Sequence, residues 1–384
     1  MSTTQAVNAA GSSTVSVPQP QTTLEPPGGP FIRYSQPGYR PQYTSSANAF
    51  AANITNPLIA VTGYVARFRV RVQASGGVNG SSTVAAANDA PFNVIQQVML
   101  NDANGNPIIV GPGYEMLYLV PKYSGGYGLL SAGDITNMPS YSAISAGSTG
   151  TGNFTFRTAL PLEFSKGYGL LGMANSSVLP QLFWNLNTSA SVYTTAPGTL
   201  PTVTVDVGAE FYWLPQGVNI APPGLGTSRQ WIFNKGNPTI PGSSSYQQVQ
   251  FPRPGGYLDT IILVLRDSTG ARQDYWPDPL TLWIDGVPVI NQQPLSSIYD
   301  DMYNWTGGQT RPGGVIAFTR KTSMSQLNLG FLDTGEQYLS SNPGTLIEVG
   351  GTWGSSSSNT PWTLTIITGS VVAAEALIQG LPEA

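Results

Sequence analysis

The sequence predicts an all-β protein built from two related β-domains in tandem. Three observations lead there. Short apolar strands are separated by Gly, Pro and Asn; a strand–turn–strand–helix unit occurs twice; and only 9% of the residues are charged. Ordinary globular chains carry about 25% charge. A polar surface made mostly of Ser, Thr, Asn and Gln suits neutral loops and faces that neighbouring subunits cover.

The repeated unit is first met between Phe92 and Ser124. Val94 to Leu100 is apolar and β-rich, which predicts a strand. Asn104-Gly105 tolerates two positive φ angles, so it predicts a tight hairpin turn, with Pro107 to Val110 as the return strand. Tyr114, Leu117 and Tyr118 follow at the spacing of one helical face, and Pro121 is expected to close the segment. The second copy reads Thr281-Leu-Trp-Ile, Asp285-Gly286, then Val287-Pro-Val-Ile. Its helical segment carries Leu295, Ile298, Tyr299 and Met302 and ends near Trp305. A long strand opening on Gly-Tyr precedes each copy: Gly63-Tyr64 to Val72, and Gly256-Tyr257 to Leu265. The separation is roughly 180 to 190 residues, the size of a domain rather than of a solenoid repeat.

In chain order, residues 1–45 form a low-complexity arm rich in Ser, Thr, Gln and Pro. Its one feature is an aromatic cluster, Phe31, Tyr34, Tyr39 and Tyr43, which predicts anchors on the same or a neighbouring subunit rather than a bare tail. The first domain spans 46–215. In its long strand Ala66, Phe68, Val70 and Val72 face one side while Arg67, Arg69 and Arg71 face the other. That basic row is either a solvated face or a contact for carboxylates of a neighbouring subunit or an anionic internal surface. Strands resume at Phe154, Gln181 and Thr202, after a Gly/Ser-rich stretch from Ser124 to Thr151. Residues 216–227, with Pro222-Pro223-Gly224, form the linker.

The second domain, 228–384 with a short C-terminal tail, opens at Gln230-Trp-Ile-Phe. Its strand to Leu265 is nearly all apolar from Ile261 on, which predicts cover by its own core and by a neighbour. Strands at Val315, Leu327, Thr345 and Trp362 complete it. About eight strands per half, with only short helices, make two tandem eight-stranded jelly rolls, a double jelly roll with an extended N-terminal arm.

Composition narrows the chemistry. The net charge is −4, so no basic field exists to hold nucleic acid. Cysteine and histidine are absent, removing thiol nucleophiles, disulfides and the commonest general base and metal ligand. No catalytic, cofactor-binding or metal site is predicted, and no cofactor. The N-terminal Met1-Ser-Thr-Thr-Gln carries no recognisable secretory signal, and no apolar run is long enough to span a bilayer. Asp102-Ala-Asn104-Gly-Asn106 looks like a calcium loop, but Pro107 and Gly113 stand where the loop needs Gly and Glu. Asp300 and Asp301, with Asp278 and Asp285 nearby, could pair as in glycoside hydrolysis. Adjacent residues on a helix point apart, however, so a solvated helix end explains them better.

The ordered segments of the first domain resemble the double jelly-roll major capsid proteins of tailless icosahedral double-stranded DNA viruses with an internal membrane, tectiviruses of bacteria above all. The matching residues are Val94 to Ile109, Gly113 to Tyr123, Leu160-Pro-Leu-Glu-Phe-Ser, Leu171-Gly-Met-Ala-Asn and Leu182-Phe-Trp-Asn-Leu-Asn-Thr. The second domain matches in layout and the arm in type. The resemblance implies a homotrimer of double jelly rolls, a pseudo-hexagonal tile of a virion shell, with the arm on the inner, membrane side. It implies no reaction. Implied partners are further trimers, minor capsid or penton proteins and the internal membrane surface, without direct nucleic-acid binding. The competing class is a secreted carbohydrate-active enzyme or lectin on tandem β-sandwiches, which the missing signal and missing histidine disfavour.

Overall fold

The computed structural model describes residues 32–34, 43–44, 49–57, 64–80, 82–102, 105, 107–125, 140–162, 171–172, 181–213, 228–242, 244–252, 257–306, 308–319, 346–354 and 359–372. Among these, 53% lie in strands and 13% in helices. The strands form two four-by-four sandwiches whose facing sheets bury alternate side chains, and both have the same strand order.

In the first roll one sheet runs Phe154–Pro161, Tyr64–Ser75, Thr202–Trp213, with Ile32–Tyr34 and Tyr43–Thr44 along one edge and the short strands Ser140–Ser142 and Leu171–Gly172 added on Phe154–Pro161 and Tyr64–Ser75. The facing sheet runs Pro107–Gly111, Ile95–Asn101, Gln181–Leu186, Asn53–Pro57. The second roll repeats this as Val315–Thr319, Tyr257–Arg266, Thr363–Val372, Ser228–Lys235, facing Val287–Gln293, Leu280–Ile284, Leu346–Thr352, Tyr246–Pro252. Apart from Ser140–Ser142 and Leu171–Gly172, which belong to the first roll alone among the described residues, eight strand positions per roll correspond one to one. The two rolls share a continuous eight-stranded sheet, because Ser228–Lys235 pairs in parallel with Pro107–Gly111 through Trp231↔Ile109 and Ile232↔Val110. Every other pairing between strands is antiparallel among the described residues.

The alternation read from sequence holds on Tyr64–Ser75: Phe68, Val70, Val72 and Ala74 are buried while Arg67, Arg69 and Arg71 face outward. The Asp285-Gly286 turn has φ of 56° and 74°, the pair of positive angles that a two-residue hairpin demands. Gly105 has φ of 84° and its N–H donates to Asp102 O at 3.1 Å; Asn104 lies outside the described residues. The strand expected at Leu327 and the linker 216–227 also lie outside them.

Two expectations need correction. Pro121 does not end the first helical segment, which runs as a wide π turn over Glu115–Leu119 and then as an α-helix over Val120–Gly125. Proline has no N–H for the carbonyl four residues back. That carbonyl, Leu117 O, instead accepts the buried Thr158 hydroxyl at 2.8 Å. The second correction concerns Tyr257–Arg266. Leu258 to Leu265 are all buried within one chain, so no neighbouring subunit is needed to cover its second face. The first roll covers it, with helix Val120–Gly125 lying against the strand.

Candidate functional surfaces

The seam between the rolls carries a network of charged and polar side chains. Asp89 sits in a tight turn with φ of 63°, its carbonyl accepting the N–H groups of Phe92 and Asn93 at 3.1 and 3.2 Å. Aspartate tolerates that left-handed backbone better than most residues. The turn aims the carboxylate across the seam, where Arg272 Nε donates to Oδ1 at 2.7 Å and Arg266 Nη1 donates to Oδ2. Arg266 Nη2 also donates to the buried Glu115 Oε1 at 2.7 Å. Tyr114 lies under Arg272 at 4.7 Å and under Arg266 at 5.7 Å. Burial pushes the Tyr114 hydroxyl well above its usual range, against the pull of Arg272. About two turns on, buried Lys122 donates from Nζ to Thr310 O at 2.7 Å, and desolvation lowers its ammonium to about 8. Acids and lysine come from the first roll, arginines from the second, so this network bolts the rolls together.

Of those seam residues sequence reasoning singled out only Tyr114, as part of a helical face, and none of the charged ones. A usable signal was there: in a chain this poor in charge, Glu115 and Lys122 fall inside an otherwise apolar helical stretch.

The predicted site residues fall on two surfaces. Arg67, Arg69 and Arg71 stand in a row on the outer face of the first roll, and Arg157 is the cross-strand partner of Arg71. On the other flank Arg71 lies opposite Asp206, and Arg67 lies opposite Glu210 in the Cα register. The row is thus interleaved with carboxylate-bearing positions of its own chain. Arg71 is exposed and donates to Gln73 Oε1. Tyr34 and Tyr43 enter the first sheet, opposite Phe211 and Val207, as edge strands on Thr202–Trp213. Phe31 and Tyr39 lie outside the described residues.

The acidic residues of the second roll do not converge. Asp278 Oδ1 accepts Leu295 N–H at 3.2 Å, capping helix Leu295–Trp305, and Asp285 makes the hairpin turn. Asp300 and Asp301 are exposed on that helix, beside Tyr303. Asp267 serves architecture. Burial works against its ionisation, but hydrogen bonds from Thr269, Gln273 and Ala271 outweigh that and hold the carboxyl below its usual range.

No family model and no curated protein sequence matches the chain. Solved structures do. The major capsid protein of Sulfolobus Turreted Icosahedral Virus is similar at 13% identity and a TM-score of 0.62, over 92% of this chain and 99% of that one. The PBCV-1 virus capsid gives 12% identity and a TM-score of 0.54, over 91% and 96%. The Faustovirus major capsid protein gives 8% and 0.53, over 91% of each chain. The fold is a double jelly roll. At such identities the likeness is one of fold, and it extends over nearly the whole of each chain.

Proposed function

We propose that this chain is a structural major capsid protein of a tectivirus-like, tailless bacteriophage with an internal membrane. Three copies form a pseudo-hexagonal tile, and tiles enclose the genome and membrane. The observation that carries this reading is the strand-for-strand repeat. Two rolls of the same order, fused through one sheet, present two-thirds of a turn less than a closed ring of six, and three such chains complete it. The near-complete overlap with capsid proteins of several viruses supports it.

On this reading the domains are the arm 1–45, the rolls 46–215 and 228–384, and the linker 216–227. The protein acts without catalysis. Its sparse charge serves faces that neighbours cover, since burying unpaired charge is costly. Its partners are other copies, minor capsid or penton proteins and the inner membrane surface, and its final location is the virion after synthesis in the host cytoplasm. Sedimentation and negative-stain imaging of the purified protein test this. Expected are three times the 40.6 kDa chain mass and a six-lobed outline. A monomer, or a two-lobed particle, would overturn it.

A further inference from the structure

At the end of the first roll away from Ile32, where Ser75 lies opposite Thr202, the loops 76–80, 145–152 and 196–200 meet through their backbones. Val78 N–H donates to Thr199 O at 3.1 Å, and Thr199 N–H donates back to Val78 O at 2.9 Å. Gly77 N–H donates to Asn153 Oδ1 at 2.9 Å, while Gly152 N–H closes the middle loop on Ser145 O at 2.9 Å. Asn79 sits among them. Its Nδ2 donates to Ser148 O, and its Oδ1 is buried without a hydrogen-bond partner among the described residues. The backbone of the next residue, Gly80, lies against Gly198. A Cβ on Gly198 would meet Gly80 N and Gly80 Cα, each at 2.9 Å. The tip thus holds the Asn79 amide fixed and dry.

Asn79-Gly80 is also a reactive pair. Gly80 has no side chain to obstruct its backbone nitrogen, which can attack Cγ of Asn79. A new C–N bond forms as Gly80 N loses its proton to solvent. A proton returns to Nδ2, which leaves as ammonia, and a five-membered succinimide remains. Water then opens the ring at either carbonyl, giving aspartate with the original main chain or isoaspartate with the main chain routed through Cβ. The reaction needs water alone. Ring closure does require Cγ to swing onto Gly80 N and the Gly80 amide plane to turn. Both movements are restrained here, the first by Nδ2 on Ser148 O and the second by Gly198.

We propose that Asn79 is a self-modification site that the packed tip keeps closed, and that parting of the three loops converts it irreversibly to aspartate or isoaspartate. The product cannot rebuild the tip. A carboxylate has no hydrogen to donate to Ser148 O, and it brings a charge to the place where Oδ1 was buried without a partner. Residues 75–88, 140–153 and 194–201 contain no Lys or Arg to pair with it. Burying an unpaired charge is costly, so the loops stay apart. Isoaspartate also lengthens the main chain by one atom beside the Gly80–Gly198 contact. An ordinary loop opening reverses itself. This one does not.

Peptide mass spectrometry of the full chain, incubated in mildly alkaline buffer with and without urea, tests this. Asn79 should turn to acid at least about tenfold more slowly in the folded protein than in urea. A Cβ on Gly80 would meet nothing nearer than Gly198 Cα at 3.4 Å, so Gly80→Ala should fold and should suppress the conversion in urea by blocking the attacking nitrogen. Gly198→Ala presses on Gly80 and should speed the folded conversion at least about tenfold. An Asn79 that stays an amide in urea, or that converts equally in Gly80→Ala, would overturn the chemistry. A folded rate equal to that in urea, or a Gly198→Ala rate equal to the parent's, would overturn the closed tip. If Gly198→Ala does not fold, Asn79→Asp carries the test through hydrogen exchange. The Val78 and Thr199 amides should then exchange at least about tenfold faster than in the parent, and unchanged exchange would overturn the closed tip equally.

Discussion

Lys122 shows how one buried side chain can report on the seam. Its ammonium is desolvated between the rolls and satisfied by Thr310 O, with the Tyr118 ring at 5.7 Å. Its ordinary value of 10.5 falls to about 8 in the folded chain, so between those values the folded state binds fewer protons than the unfolded one. Stability must then rise with pH through that window. The buried tyrosines Tyr114 and Tyr123, raised by desolvation, work the other way once unfolded tyrosine ionises near 10, so the rise is cleanest below that. Between about pH 8 and 9.5 the lysine should add roughly 1.5 kcal/mol to the free energy of unfolding. Urea titrations of the parent and of Lys122→Met at both pH values check this. The variant should lack that increment, and an equal rise in both proteins would show that the seam does not desolvate the amine.

At the scale of elements, glycine distinguishes backbone conformation from close approach. A Cβ on Gly105 would meet nothing within 4 Å, but its φ of 84° penalises any side chain. A Cβ on Gly113 would press on the carbonyl oxygens of Phe92 and Ile95, the latter at 2.6 Å, where the helical segment enters against the start of the Ile95–Asn101 strand. Conformational strain of the first kind costs about 1 kcal/mol, whereas overpacking against backbone costs about 1–3 kcal/mol. Gly113→Ala should therefore lower the urea midpoint more than Gly105→Ala does, and the reverse order would contradict the packing seen here. Elements with strong local patterns were legible from sequence: Thr202–Trp213 alternates, Asp285-Gly286 demands a turn, and Ile298 with Met302 sits at helical spacing. Tyr246–Pro252 was missed because four of its positions are Tyr, Gln, Gln and Gln, although Val249 and Phe251 alternate into the core. The Arg67–Arg71 row was legible for the same period-2 reason. The seam was not, since Asp89 and Arg272 meet across 183 residues and nothing local announces such a pair.

At the scale of the whole molecule, two pieces of the arm, which was expected to anchor through its aromatics on the same or a neighbouring subunit, pair as strands with the first roll. Ile32–Tyr34 pairs with Phe211 to Trp213, and Tyr43–Thr44 pairs with Asp206 and Val207, so both run along the open edge of Thr202–Trp213. In the second roll Ser228–Lys235 fills the equivalent edge over eight residues. The arm therefore substitutes for a strand with two short pieces, and an uncovered edge strand is a template for unwanted pairing. Removing residues 1–45 exposes that edge. The interior of the roll does not depend on it: Val203, Val205 and Val207 remain packed by Tyr64–Ser75 on the other side. The expected outcome is a truncated chain that keeps its β spectrum and still forms trimers in dilute solution, but that builds no shells and aggregates faster as concentration rises. Sedimentation across a concentration series and electron microscopy under assembly conditions separate these effects. Normal shells from the truncated chain would show that the arm is dispensable for assembly, and loss of the trimer itself would place the arm within the contact between copies rather than beyond it.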